Sequence, residues 1–108
     1  MKVFLHLRPG VTAARFLIDL GRDIRAGDHK AWEVTKARPL TIRHKGRFKS
    51  SLTLRPAPKR ASGDHPAPDV LVSITGKDAG LVLRYFTGLV AMKLGGSVEG
   101  MYVPVPEA

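Results

Sequence analysis

The sequence contains no cysteine among its 108 residues. Disulfide bonds, thiolate zinc sites and cysteine nucleophiles are therefore excluded, and the stability of the fold must come from packing. Aromatic residues make up only 6% of the chain, whereas hydrophobic residues make up 44%, which is enough for one modest core. We expect a single domain over residues 1–108, with two layers of secondary structure around that core.

Long uninterrupted apolar runs are also lacking. The most apolar stretch, residues 79–94, contains Arg84 and Lys93, whereas a membrane-spanning helix needs about 20 apolar residues. The N-terminal stretch is interrupted by His6 and Arg8, too early for the apolar region of a signal peptide. We expect a cytoplasmic protein that does not associate with a membrane.

Acidic residues are absent from residues 36–60, called the basic segment below. The whole chain has 18 Lys and Arg against 9 Asp and Glu. Because nine of these cations lie in the basic segment, the rest of the chain is balanced in charge. A localised cation excess attracts polyanions and is typical of nucleic-acid-binding proteins. The nine cations are Lys36, Arg38, Arg43, Lys45, Arg47, Lys49, Arg55, Lys59 and Arg60.

Alternation of apolar and polar residues predicts a basic β-hairpin over residues 36–55. A three-residue loop that ends at a left-handed glycine keeps all apolar side chains on one face. In this register Ile42 pairs with Phe48, and Arg43 pairs with Arg47. Like charges that lie opposite each other destabilise a sheet, which favours a functional reason for the cations on the outer face.

Hydrophobic periodicity predicts the remaining elements. Two helices are expected over residues 12–26 and 77–94, and strands over residues 2–8, 32–36, 69–75 and 98–105. The proline-rich residues 56–68 are expected to form a mobile loop. The predicted order is β-α-β-β-β-β-α-β, or β-α-β-β-β-α-β if two middle strands merge.

These elements indicate an α+β fold, in which two helices pack on one face of a mostly antiparallel sheet, as in ferredoxin-like folds and related two-layer sandwiches. The other face is expected to be open and functional. On the first strand this face carries Lys2, Phe4, His6 and Arg8. Rings stack on unpaired bases and cations neutralise phosphates, so this row favours nucleic acid. The alternative for Phe4 is a second small core beneath the proline-rich loop.

The stretch VFLHL at residues 3–7 is similar to the first-strand motif of RNA-recognition domains. That resemblance implies a ferredoxin-like fold and RNA binding through exposed aromatic residues. The partner motif of the family has two exposed aromatic residues on a central strand. Here GRFKSSLTL at residues 46–54 offers only Phe48, which the predicted hairpin places inward.

Residue patterns typical of enzymes are weak. The four histidines do not have the spacing of a metal site and the acids are scattered, so we expect no metal and no cofactor. A metal-free ribonuclease toxin is a lesser alternative, with Arg43, His44, Arg47 and Ser50 around a scissile phosphate.

Taken together, these features predict a small non-catalytic nucleic-acid-binding protein of low sequence specificity. The basic hairpin would contact phosphates, and the open face would contribute the remaining contacts. The alternative is a protein-interaction module, such as an inhibitor, an antitoxin-like partner or a complex subunit, that docks its basic strip on an acidic protein. The apolar helix over residues 77–94 also suits a homodimer.

Overall fold

The computed structural model describes residues 1–46, 48–58 and 67–104. Its elements follow one another as β1 (Lys2–Leu7), α1 (Ala13–Arg25), β2 (Trp32–Lys36), β3 (Leu40–His44), β4 (Ser51–Pro56), β5 (Val70–Thr75), α2 (Ala79–Lys93) and β6 (Val98–Tyr102). The α+β prediction is confirmed, and the four middle strands are separate. Most of the predicted mobile loop, residues 59–66, lies outside the described residues. Within the described ranges, none of the helices has the length and hydropathy needed to cross a membrane.

The six strands form one open antiparallel sheet in the order β2-β3-β4-β5-β1-β6. β2 to β5 form a meander. β1 lies between β5 and β6, which therefore run parallel to each other, and α2 connects them. The ferredoxin-like motif has the order β-α-β-β-α-β. This sheet has two more strands than that motif, so the finer assignment is not confirmed.

One face of the sheet is buried beneath both helices. Alternate strand residues such as Val3 and Val72 are fully buried, and they form one cluster with the inner faces of α1 and α2, including Phe16 and Phe86. The intervening strand residues are half-buried or exposed. This second side of the sheet, called the open face below, is the side on which function is expected.

The start of α1 is fixed by a capping residue. The hydroxyl oxygen of Thr12 accepts a hydrogen bond from the backbone nitrogen of Arg15, at 3.2 Å, which caps the start of α1.

α2 buries one side of its circumference and exposes apolar residues on another. These exposed residues are Leu81, Tyr85 and Met92, at 48%, 51% and 82%.

The register predicted for the basic hairpin is wrong. β3 and β4 pair Ile42 with Leu52 and Arg43 with Ser51, so residues 45–50 form a longer connection in place of a three-residue loop. The predicted pair of Arg43 with Arg47 does not form, and Arg47 itself lies outside the described residues. The inward and outward faces are nevertheless as predicted, because the partner of Ile42 has moved by an even number of residues.

The physical reason for the longer connection is an anchor at the start of α2. The carboxylate of Asp78 accepts hydrogen bonds from the backbone nitrogens of Lys49 (3.0 Å) and Ser50 (3.1 Å), and from the Ser50 hydroxyl. The bond from the Ser50 hydroxyl is the main cause of a pKa of Asp78 below its ordinary value. These bonds, together with Phe48 packed against Tyr85, outweigh the turn preference of the local sequence.

Candidate functional site

Three aromatic rings lie together where β1 meets β6 on the open face. Phe4 pairs with Tyr102, and His6 pairs with Gly100, which has no side chain to fill the space above His6. The Tyr102 ring uses that space: its centroid lies 5.2 Å from Phe4 and 5.5 Å from His6, with planes tilted by 24° and 22°. We call Phe4, His6 and Tyr102 the ring cluster. Tyr102 is 38% exposed, so the cluster presents an aromatic surface to solvent.

Two cations border the ring cluster on the same face. Lys2 lies two residues before Phe4 on β1, about 7 Å along the strand. Arg55 lies in the row that runs across the sheet from Arg55 to Leu71, Phe4 and Tyr102. With strands about 4.8 Å apart, that row spans about 14 Å from β4 to β6. Both cations are exposed.

Between these cations the floor of the open face is made of small hydroxyl side chains. The next row across the sheet runs from Thr41 through Thr53 and Ser73 to Lys2. The hydroxyl oxygens of Thr41 and Thr53 lie 3.5 Å apart. Small side chains keep this floor shallow, and hydroxyl groups can both donate and accept hydrogen bonds.

Arg43 also lies on the open face, but its charge is balanced locally. Its Nη2 and Nε atoms lie 2.6 Å and 2.9 Å from Oε1 of Glu33 on β2. Lys36 is paired opposite Thr41 at the β2 edge and is exposed. Of these two cations, Lys36 at the edge of the sheet therefore has no paired carboxylate among the described residues.

The other predicted site residues lie elsewhere. Arg8 follows β1, and its Nε donates to the carbonyl oxygen of Gly95 at 2.7 Å. Lys45 and Lys49 are in the β3–β4 connection, and Lys49 lies beside the start of α2 through its backbone bond to Asp78. Arg38 is in the turn between β2 and β3, next to a cleft bordered by α1. Arg47, Lys59 and Arg60 lie outside the described residues.

Of the four residues of the ribonuclease alternative, Arg47 lies outside the described residues, and the other three do not converge. Arg43 and His44 are consecutive in β3, so they lie on opposite faces of the sheet. The His44 ring packs among Trp32 and Tyr85 on the helix side, with centroids 5.2 Å and 4.9 Å away. Ser50 is fully buried and hydrogen-bonded to Asp78. No three potential metal ligands come together in the described ranges.

Sequence reasoning missed Tyr102 as a site residue. The alternation in VEGMY, residues 98–102, puts Tyr102 and Gly100 on one side of the last strand. That signal does not say which strand is the neighbour, and the pairing of β6 with β1 joins residues almost a whole chain length apart. The ring cluster is therefore visible only in the folded protein.

Comparison with protein-family models, curated proteins and solved structures gave no match.

Proposed function

We propose that this protein binds single-stranded nucleic acid on its open face, without catalysis and with low sequence specificity. The observation that carries the proposal is the ring cluster with Lys2 and Arg55 beside it. The β5-α2-β6 unit around β1 has the split β-α-β arrangement of ferredoxin-like folds. We propose that the chain is a six-stranded relative of that arrangement and acts in the cytoplasm.

The shape and chemistry of the open face favour a single strand over a duplex. Bases in a duplex are stacked on each other, and their edges are reached only through a groove. The major groove admits an α-helix or a two-stranded β-ribbon, and the broad face of a six-stranded sheet is neither. Unpaired bases can stack on exposed rings, at about 1 to 3 kcal/mol for each base. Tyr102 is the most exposed ring of the cluster and is the expected platform.

The same geometry accounts for low specificity. Lys2, Lys36 and Arg55 can neutralise phosphates, which carry no sequence information. The hydroxyl row between them offers adaptable hydrogen bonds in place of a fixed pattern of donors and acceptors. We therefore expect the protein to tolerate many base sequences and to lose affinity steeply with salt.

Fluorescence anisotropy with labelled RNA, single-stranded DNA and duplex DNA tests this proposal. Three phosphate contacts predict a log–log salt slope of about −2 on single strands. We expect Tyr102→Ala to weaken single-strand binding about 5-fold to 150-fold, the equivalent of one stacked base. Leu81→Ala is the control, because Leu81 is also exposed, at 48%, but lies on α2, across the sheet from the open face.

A second pair of variants tests the cations. Arg55→Gln is expected to weaken binding and to reduce the salt slope by about 0.7, the value for one phosphate. Arg84 is exposed on α2. Arg84→Gln is expected to change neither the affinity nor the salt slope. The proposal fails if the wild-type protein binds no nucleic acid at about 50 mM salt, or if each variant matches its control.

The exposed apolar side of α2 favours a second candidate function, that of a protein-interaction module. Leu81, Tyr85 and Met92 are spaced four and seven residues apart, so they lie along one side of the helix. Gly88, on the same side, allows close approach of another backbone. We propose a second copy of this chain as the occupant, because a two-fold axis would bury this apolar stripe against the same stripe of the copy. An acidic protein on the basic residues is the other outcome.

A further inference from the structure

A cleft of about 490 Å³ lies beside the start of β3 and the end of β4. The aromatic contacts of α2, such as that of Tyr85 with His44, lie at the other end of β3. One wall is a side of α1 that includes Leu17 and Ile18. The other walls are the turn between β2 and β3 and the end of β4. Its volume falls within the range of about 300 to 1,000 Å³ typical of small-molecule sites. Ile18 is 61% exposed, so this side of α1 has apolar surface that the core does not use.

Three arginines border this cleft, one from each wall: Arg25, Arg38 and Arg55. None of the described residues that line it is Asp or Glu. Within the described part of the chain, no carboxylate lies within 4.0 Å of any of the three guanidinium groups. Arg25 also suits the end of α1, where cations stabilise the helix dipole. That role does not explain Arg38, which comes from a turn.

The chemistry of the lining limits the ligand to one class. Guanidinium groups recognise carboxylates and phosphates through paired hydrogen bonds. The apolar lining is aliphatic, from residues such as Leu17, Leu40 and Leu54, and the described lining contains no aromatic ring on which a base could stack. A nucleotide therefore fits this cleft poorly, whereas an aliphatic chain with an anionic head fits both parts of it.

We infer that the cleft binds a soluble aliphatic anion, with its carboxylate or phosphate head between Arg25 and Arg38 and its chain against Leu17 and Ile18. This site is separate from the proposed nucleic-acid surface. Arg55 borders both, so the experiments use Arg25 and Arg38, which do not lie on the open face.

Decanoate and decyl phosphate are the probes, with decanol as the uncharged analogue. Each is titrated below its micelle concentration into isotope-labelled protein, and backbone amide shifts are recorded. We expect saturable shifts at Gly21 and Ala37, which line the cleft, and none at Gly100 on the open face. Decanol is expected to bind at least tenfold more weakly, because it lacks the charge-assisted hydrogen bonds. The stronger of the two anions identifies the head group.

Variants locate the site. Arg25→Gln and Arg38→Gln are each expected to weaken decanoate binding about tenfold. Arg15→Gln is the matched control, because Arg15 is also on α1 but is paired with Asp19 at 3.3 Å. Ile18→Ser removes apolar wall and is expected to weaken binding.

Clear outcomes overturn the inference. It fails if decanol binds as well as decanoate, if Arg15→Gln weakens binding as much as Arg38→Gln, or if the amide shifts of Gly21 do not saturate. Arg25→Gln is expected to leave nucleic-acid binding unchanged. Failure in the cleft is therefore distinguishable from failure of the open face.

Discussion

Replacing Gly76 by alanine tests how the β3–β4 connection is held against the start of α2. Gly76 has a φ of +125°, which residues with a side chain rarely adopt. A Cβ atom at this position would also lie 2.9 Å from the Cα of Ser50 and closer still to its hydroxyl oxygen. Turning the Ser50 side chain could move its hydroxyl oxygen away, but it cannot relieve the overlap with the Cα atom, which belongs to the backbone.

Two costs add in this variant. The unfavourable backbone conformation costs about 1 to 3 kcal/mol, and the steric overlap costs about 1 to 3 kcal/mol more. The sum, about 2 to 6 kcal/mol, is a large part of the roughly 5 to 15 kcal/mol that stabilises a protein of this size. At about 4 °C for each kcal/mol, the melting temperature is expected to fall by at least about 8 °C.

Thermal unfolding followed by circular dichroism measures the effect, and two glycines serve as controls. Gly10 has a φ of +88° with nothing within 4 Å of an added Cβ, so Gly10→Ala reports backbone strain alone, about 1 to 2 kcal/mol. Gly96→Ala meets neither problem and is expected to be nearly neutral. If Gly76→Ala melts within about 2 °C of Gly10→Ala, Ser50 does not approach Gly76 as described.

Two further predictions concern α2. In the folded protein the pKa of Asp78 is lowered, chiefly by the Ser50 hydroxyl, so its contribution to stability is present above about pH 4 and is lost as the pH falls through the folded pKa. Asp78→Asn is therefore expected to flatten the fall in urea midpoint between about pH 5 and pH 2, and an unchanged profile contradicts this. If α2 mediates a homodimer, the wild-type protein sediments as a dimer and Met92→Lys as a monomer; monomers in both cases refute it.

Much of the fold follows from local patterns. The apolar alternation of β1 and β5 and the helical spacing of Phe16, Leu20 and Ile24 are properties of short stretches. Apart from the second strand of the hairpin, each predicted element forms within about two or three residues of its expected bounds. The register between β3 and β4 is different in kind. It depends on Asp78, which lies 28 residues beyond Ser50 and offers a carboxylate that no turn rule could anticipate.

The candidate site was predictable only in part, for the same reason. Charge counting identified the basic segment, but strand pairing decides which cations share a face. Strand pairing leaves Arg55 beside the ring cluster, and it brings Arg43 into an ion pair with Glu33. Lys2, Phe4 and His6 share a face because side chains alternate along a strand, which is a property of the local sequence. Tyr102 joins them only through the pairing of β6 with β1, which the local sequence does not determine.

The interior position of β1 makes the ring cluster a late product of chain folding. Phe4 pairs with Tyr102, which lies 98 residues downstream, and closing so long a loop is slow compared with forming a helix. Until β6 arrives, β1 has an unpaired edge of the kind that recruits foreign strands. A chain in which β6 has not yet paired with β1 is thus both inactive by our proposal and prone to aggregation, and ligand binding reports that this pairing has formed.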